Sequence, residues 1–85
     1  MNLATQIFSR EFDAVFFDLP DRLQDRIEKR IWEIGADLAG FNHHRLTGRS
    51  EFRLRVGDYR IIYEFDAEKN EIQLITLGHR RDVYR

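Results

Sequence analysis

Two groups of residues in the second half of the chain have the types and spacing for phosphate chemistry. Arg53, Arg55 and Arg60 lie in the run Glu-Phe-Arg-Leu-Arg-Val-Gly-Asp-Tyr-Arg-Ile-Ile-Tyr-Glu at 51–64. His79, Arg80, Arg81 and Tyr84 lie in the closing run Gly-His-Arg-Arg-Asp-Val-Tyr-Arg at 78–85. A guanidinium offers a planar fork of donors that matches phosphate oxygens, and it stays protonated throughout the working pH range. An imidazole titrates near neutrality. A phenol surrounded by cations can give up its proton below the ordinary value of roughly 10. The inventory thus holds both anion binding and proton transfer.

Strand register decides whether the arginines share a surface. Phe52, Leu54 and Val56 alternate with Glu51, Arg53 and Arg55. Gly57-Asp58 fits a two-residue turn with Gly at its first central position, the type II′ preference. Such a turn pairs Val56 with Tyr59, Arg55 with Arg60, Leu54 with Ile61, Arg53 with Ile62 and Phe52 with Tyr63. One face is then apolar and the other carries Arg53, Arg55 and Arg60. Arg55 directly opposite Arg60 costs about 0.2–1 kcal/mol in like-charge repulsion. Pairing with Glu51 or Glu64 would relieve it, and so would an external anion. A further strand over 71–77, continued across a polar turn, places Ile72, Leu74 and Thr76 on the apolar face. It places Ile62, Ile75 and Leu77 on the arginine face, where an exposed apolar strip suits a polypeptide partner.

The remaining elements must hold this sheet. Leu3 to Phe8 alternates as a short strand, and Ser9 can cap a helix carrying Phe12, Val15, Phe16 and Leu19. Pro20 suits the first position of a second helix. Leu23, Ile27, Ile31, Ile34 and Leu38 form its 3.6-residue stripe. That helix is expected to reach Leu38 or Ala39, with Gly40 near its end. Residues 41–50 read as a polar loop. Adjacent His43 and His44 rarely point at one ion, and no ligand-spaced partner set accompanies them, so they read as solvated or as nucleic-acid contacts and not as a metal site. The fold class is α+β, with an N-terminal strand and helical hairpin packed on one face of an antiparallel sheet. At 85 residues the chain is expected to be a single domain, 1–85.

Composition narrows the function classes. There is no cysteine, which excludes disulfides, thiolate metal sites and thiol nucleophiles. No run approaches the roughly 18 apolar residues of a membrane span, and the N-terminal residues lack the pattern of a signal peptide. A cytoplasmic protein with no membrane partner is expected. The formal net charge of −1 conceals an asymmetry. Residues 1–41 hold five basic and eight acidic residues, net −3, and residues 42–85 hold nine and seven, net +2. That division fits ordinary scatter in so short a chain and also a basic working half on an acidic scaffold.

The combination of His44-Arg45-Leu46-Thr47-Gly48, the run from Phe52 to Glu64, and Gly78-His79-Arg80-Arg81-Asp82-Val83-Tyr84 resembles the RelE/ParE superfamily of toxin–antitoxin toxins. The match spans nearly the whole chain, and the ending is more like the RelE branch than the gyrase-poisoning ParE branch. The resemblance implies a microbial RNase-like fold. It implies a type II toxin that enters the ribosomal A site and cuts mRNA through attack of a 2′-OH on the adjacent phosphate, without metal or other cofactor. The implied partners are the ribosome with its rRNA, mRNA, a cognate antitoxin, and operator DNA through that antitoxin alone. The family's basic site residues fall on Arg53, Arg55, Arg60 and Arg80, and its catalytic tyrosine on Tyr84. Arg81 joins the RNA contacts, and Ile62, Ile75 and Leu77 become the antitoxin contact. Well-known members carry lysines where Arg53 and Arg55 stand. Arginine is a poor general base, so proton transfer falls to Tyr84 or His79. The alternatives are a gyrase-directed toxin on the same fold, and a non-catalytic member that acts with its antitoxin in operon autoregulation.

Overall fold

The structure, a computed structural model, describes residues 2–79. A five-stranded sheet carries two helices on one face. In chain order the elements are β1 (Thr5–Phe8), α1 (Arg10–Phe16), α2 (Asp21–Ala36), β2 (His44–Arg45), β3 (Phe52–Val56), β4 (Tyr59–Asp66) and β5 (Glu71–His79). The sheet order is β1-β5-β4-β3-β2, so β4 lies at the centre. The expected α+β architecture holds. One strand behaves differently from the reading: β1 joins the sheet at its edge and runs parallel to β5, from Thr5 opposite Glu71 to Phe8 opposite Leu74. The chain between these two strands, helical hairpin and β2–β4 included, is the long connection that a parallel pair needs, and the other strand pairs are antiparallel.

The β3–β4 hairpin has the register that the turn chemistry dictates, Val56 opposite Tyr59 through Phe52 opposite Tyr63. Gly57 has φ +60, the conformation a type II′ turn requires at that position. Leu54, Val56, Ile61 and Tyr63 therefore meet Phe12, Phe16, Ile27, Ile31 and Ile34 in one core.

Ser9 fastens the first helix. Its Oγ accepts from the Phe12 N–H at 3.0 Å and donates to the Ile75 carbonyl. That carbonyl belongs to a register break. Ile62 pairs with Thr76 but Tyr63 pairs with Leu74, leaving Ile75 as an extra residue in β5. The break reverses the expected facing of everything beyond it. Leu77 lies opposite Ile61 and is a core residue at 2% exposure, while Thr76 shares the other face with Ile62. The second helix starts one residue later than expected, with Pro20 at the cap and not at the first turn. It ends at Ala36, short of Leu38. Asp37 stops it by accepting the Gly40 N–H at 3.0 Å, a local bond that competes with helix.

The 41–50 segment is less of a loop than expected. His44 and Arg45 pair with Arg53 and Phe52 as a fifth strand. His43 is not solvated. Its ring stacks on Phe65 at 4.1 Å and bridges Tyr63 Oη and the Leu38 carbonyl, each at 2.7 Å. The carbonyl can only accept, so Nε2–H donates to it. With that single ring proton, Nδ1 accepts from the Tyr63 hydroxyl. His43→Ala leaves both partners without their bond and should lower the unfolding free energy by about 2–4 kcal/mol in urea titrations. Burial pushes the Tyr63 phenol above the usual tyrosine range, with the Arg30 charge pulling weakly the other way. A raised folded value means that the stability it contributes is complete below the unfolded value, about 10, and is lost as pH rises further. Melting temperature should fall above about pH 10, and this component should be absent in Tyr63→Phe.

Candidate phosphate-binding site

The face of the sheet opposite the helices carries the arginines. Arg53 and Arg55 project from β3 and are exposed, whereas Arg60 on β4 is buried at 8% exposure. Arg60 lies between Arg55 on one side and Gly78 on the other. Gly78 contributes no side chain on that side. The central position of β4 explains why its side chain is the buried one.

One of the expected internal counterions, Glu51, is engaged elsewhere. Glu51 is held by Arg49 through two parallel bonds of 2.9 Å, and those bonds from Arg49 lower the Glu51 carboxyl below its ordinary value. Among the described residues, the ion pairs are Arg49–Glu51 and Arg30–Glu33. Arg53 and Arg55 take part in neither. His44 sits opposite Arg53, so its imidazole shares the arginine face. A cavity of about 410 Å³ at the sheet edge is lined by Arg30, His44, Arg53, Leu54 and Arg55. Such a constellation suits an anion with several non-bridging oxygens and charge that builds on it.

Several expected site residues stand elsewhere. His79 lies opposite Tyr59, with ring centroids 5.7 Å apart, and so belongs to the helix side of the sheet. The break at Ile75 puts it there, which removes it from the arginine face as a proton carrier. The apolar strip also dissolves. Leu77 is in the core, Ile62 is buried at 4% in the central strand, and Ile75 alone keeps partial exposure. Arg80, Arg81 and Tyr84 lie outside the described residues. Among the described residues no three His, Cys, Asp or Glu side chains form a metal-binding group.

Two features went unread in the sequence. Arg30, on α2, reaches the site's edge, and the signal was its place with Arg26 and Lys29 on one polar flank of the helix. The second is a hollow of about 400 Å³ lined by Phe8, Phe16, Phe17 and Trp32, with Asp13 and Glu28 among its walls. Phe17 and Trp32 are 70% and 55% exposed there.

The chain matches the family model for the ParE toxin of type II toxin–antitoxin systems, parDE, over residues 5–84. It is similar to a chain of the toxin–antitoxin complex RelBE2 from Mycobacterium tuberculosis, with TM-score 0.74 and 21% identity, covering 96% of this chain and 97% of that one. A chain of the archaeal RelE–RelB complex from Pyrococcus horikoshii gives TM-score 0.77 at 19% identity, covering 96% and 100%. The intact RelBE toxin–antitoxin complex of E. coli gives 0.76 at 16%, covering 89% and 95%. No curated protein matches the sequence. At these identities the structural likeness is one of fold.

The Arg55–Arg60 juxtaposition makes a prediction about stability. Arg55→Thr should raise the unfolding free energy by about 0.2–1 kcal/mol at low ionic strength. The gain should shrink in high salt, where screening relieves the wild-type repulsion. Urea midpoints at two salt concentrations read both effects.

Proposed function

The chain belongs to the ParE toxin family of type II toxin–antitoxin systems, and from that membership we propose that it is a metal-independent, ribosome-dependent endoribonuclease acting on mRNA. The observation carrying this reading is the arginine face. Arg53 and Arg55 are exposed cations with no ion-pair partner among the described residues, set beside the buried Arg60. In the proposed reaction the ribose 2′-oxygen forms a bond to the adjacent phosphorus and the P–O5′ bond breaks. One proton leaves the 2′-OH and another reaches the departing 5′-oxygen. Arg53 and Arg55 hold the non-bridging oxygens, and Arg60 and Arg80 stabilise the charge that grows on them. Their permanent charge suits that work and not proton abstraction, which this reading gives to Tyr84.

The test is to induce the protein and map mRNA 5′ ends on translating ribosomes. Cleavage at fixed codon positions is expected, falling about 10²–10³-fold in Arg60→Gln and disappearing in Arg80→Ala and Tyr84→Phe. One observation favours a second reading: the matching family model is that of ParE, and the two arginines stand where the RelE branch carries lysines. Intact mRNA together with inhibited DNA gyrase would select that gyrase-directed reading and discard the first.

Family membership also implies a cognate antitoxin. The strip of Ile62, Ile75 and Leu77 no longer offers it a seat. The hollow at Phe8, Phe17 and Trp32 does, since it presents large exposed aromatics, and its acidic walls fit an apolar segment flanked by Lys or Arg. Trp32→Ala should weaken antitoxin binding by about 2 kcal/mol, roughly thirtyfold. An unchanged Kd in calorimetric titration would exclude the hollow as that seat.

A further inference from the structure

The arginine face does not end at the margin of the sheet. The edge cavity shares Arg30 and Arg55 with a second cavity of about 310 Å³, lined also by Arg26, Lys29, Glu33, Val56 and Gly57. A third hollow continues from Arg26 to Arg22 near the start of α2. Together they form a continuous track from His44 and Arg53 round the edge of β3 and along α2. Its walls carry Arg22, Arg26, Lys29, Arg30, Arg53 and Arg55. Acidic residues outnumber basic ones 15 to 14 in the whole chain, yet Glu33 is the track's lone acid, and Arg30 already neutralises it at 2.6 Å. Random scatter would have mixed the signs.

The backbone contributes too. β2 covers β3 only at Phe52 and Arg53. The Leu46 N–H donates to the Glu51 carbonyl at 2.9 Å. Alternation along an antiparallel ladder turns the peptide groups of Arg53 and then Arg55 in that same direction. The Arg55 N–H thus faces the track where no strand lies opposite. Gly57 keeps the passage low: a Cβ there would stand 3.6 Å from Arg26 Nη1.

We infer that this track binds the ribose–phosphate backbone of a single RNA strand, continuing the strand whose scissile phosphate sits on the arginine face. The inference rests on the endoribonuclease reading for the identity of that strand. Guanidinium forks spaced along a channel match a repeating phosphate, and they need no base contacts. The track supplies length-dependent affinity, while the arginine face supplies the chemistry.

The experiment uses the full chain and 2′-O-methyl RNA, which cannot attack its own phosphate, in lengths of 4 and 12 nucleotides. Fluorescence anisotropy gives Kd at several salt concentrations. The longer strand should bind wild-type protein about tenfold or more tighter than the shorter one, through added phosphate contacts. Arg26 and Lys29 are exposed, so the double variant R26Q/K29Q should fold normally. It should lose most of the length-dependent gain, lower the salt slope for the 12-mer by about 1.4, and leave the 4-mer unchanged. A gain that is missing in the wild type, or that persists in the variant, overturns the track. Poly-glutamate binding with a loss in the variant, where the 12-mer shows no variant-sensitive gain, would overturn RNA as its ligand and assign the track to an acidic polypeptide. Codon-positioned cleavage on ribosomes is scored separately. Cleavage without a variant-sensitive gain sinks the track alone, and the gain without cleavage sinks the endoribonuclease reading while RNA binding by the track stands.

Discussion

The two-residue turn at Gly57-Asp58 is the constraint on which the molecule depends. It fixes the register of β3 against β4, and register fixes facing, because a slip of one residue would exchange every side chain between the two surfaces. In the observed register Leu54, Val56, Ile61 and Tyr63 close the core. The same alternation delivers Arg53, Arg55 and Arg60 to the other side. Core and site are thus two readings of one ladder, and neither can be moved without the other. The like-charge contact between Arg55 and Arg60 follows from this coupling. A phosphate on that face would turn a folding liability into a binding contribution.

This also explains what was legible in the residues. The hairpin register, the α2 stripe and the Ser9 cap all rest on contacts within a few positions in sequence, where turn chemistry and periodicity act directly. The placement of β1 beside β5 joins Thr5 to Glu71 across most of the chain, and nothing local encodes it. The extra residue at Ile75 was equally hidden. The run Ile72-Gln73-Leu74-Ile75-Thr76-Leu77 reads as alternation with either Thr76 or Leu77 inward. Packing chose Leu77, and the Ser9 hydroxyl took the Ile75 carbonyl. One unforeseen residue therefore moved His79 and the supposed apolar strip together. His43 shows the same limit: a polar residue in a polar stretch became half-buried because Tyr63, a core residue 20 positions on, needed a partner for its hydroxyl.

The loss of His79 from the arginine face narrows the chemistry. Arg53, Arg55 and Arg60 suit binding and charge stabilisation, with no group among them that releases a proton at neutral pH. His44 is the one titratable ring that the described sheet brings beside them. The proposed reaction assigns proton transfer to Tyr84, and on that proposal binding and catalysis would be carried by different parts of the chain. Substitutions in the sheet and in the closing segment are then expected to separate affinity from rate.

Helix α2 organises the remaining surfaces. At 3.6 residues per turn its side chains fall into three sectors, roughly 120° apart. Ile27, Ile31 and Ile34 point into the core. Arg26, Lys29 and Arg30 line the basic track, and Glu28 and Trp32 line the aromatic hollow. By charge and polarity the two exposed surfaces suit different ligands: phosphate on one flank, an apolar segment with basic neighbours on the other. A polypeptide seated at Trp32 would leave the track and the arginine face uncovered, so occupancy of the hollow by itself would give attachment and not inhibition. On the proposed reading, silencing the site would take a further acidic stretch reaching the β3 edge, where Arg55 offers both its guanidinium and an outward backbone N–H. An inhibitor built this way competes with RNA for the same cations while its hold on the protein is set independently by the aromatic hollow.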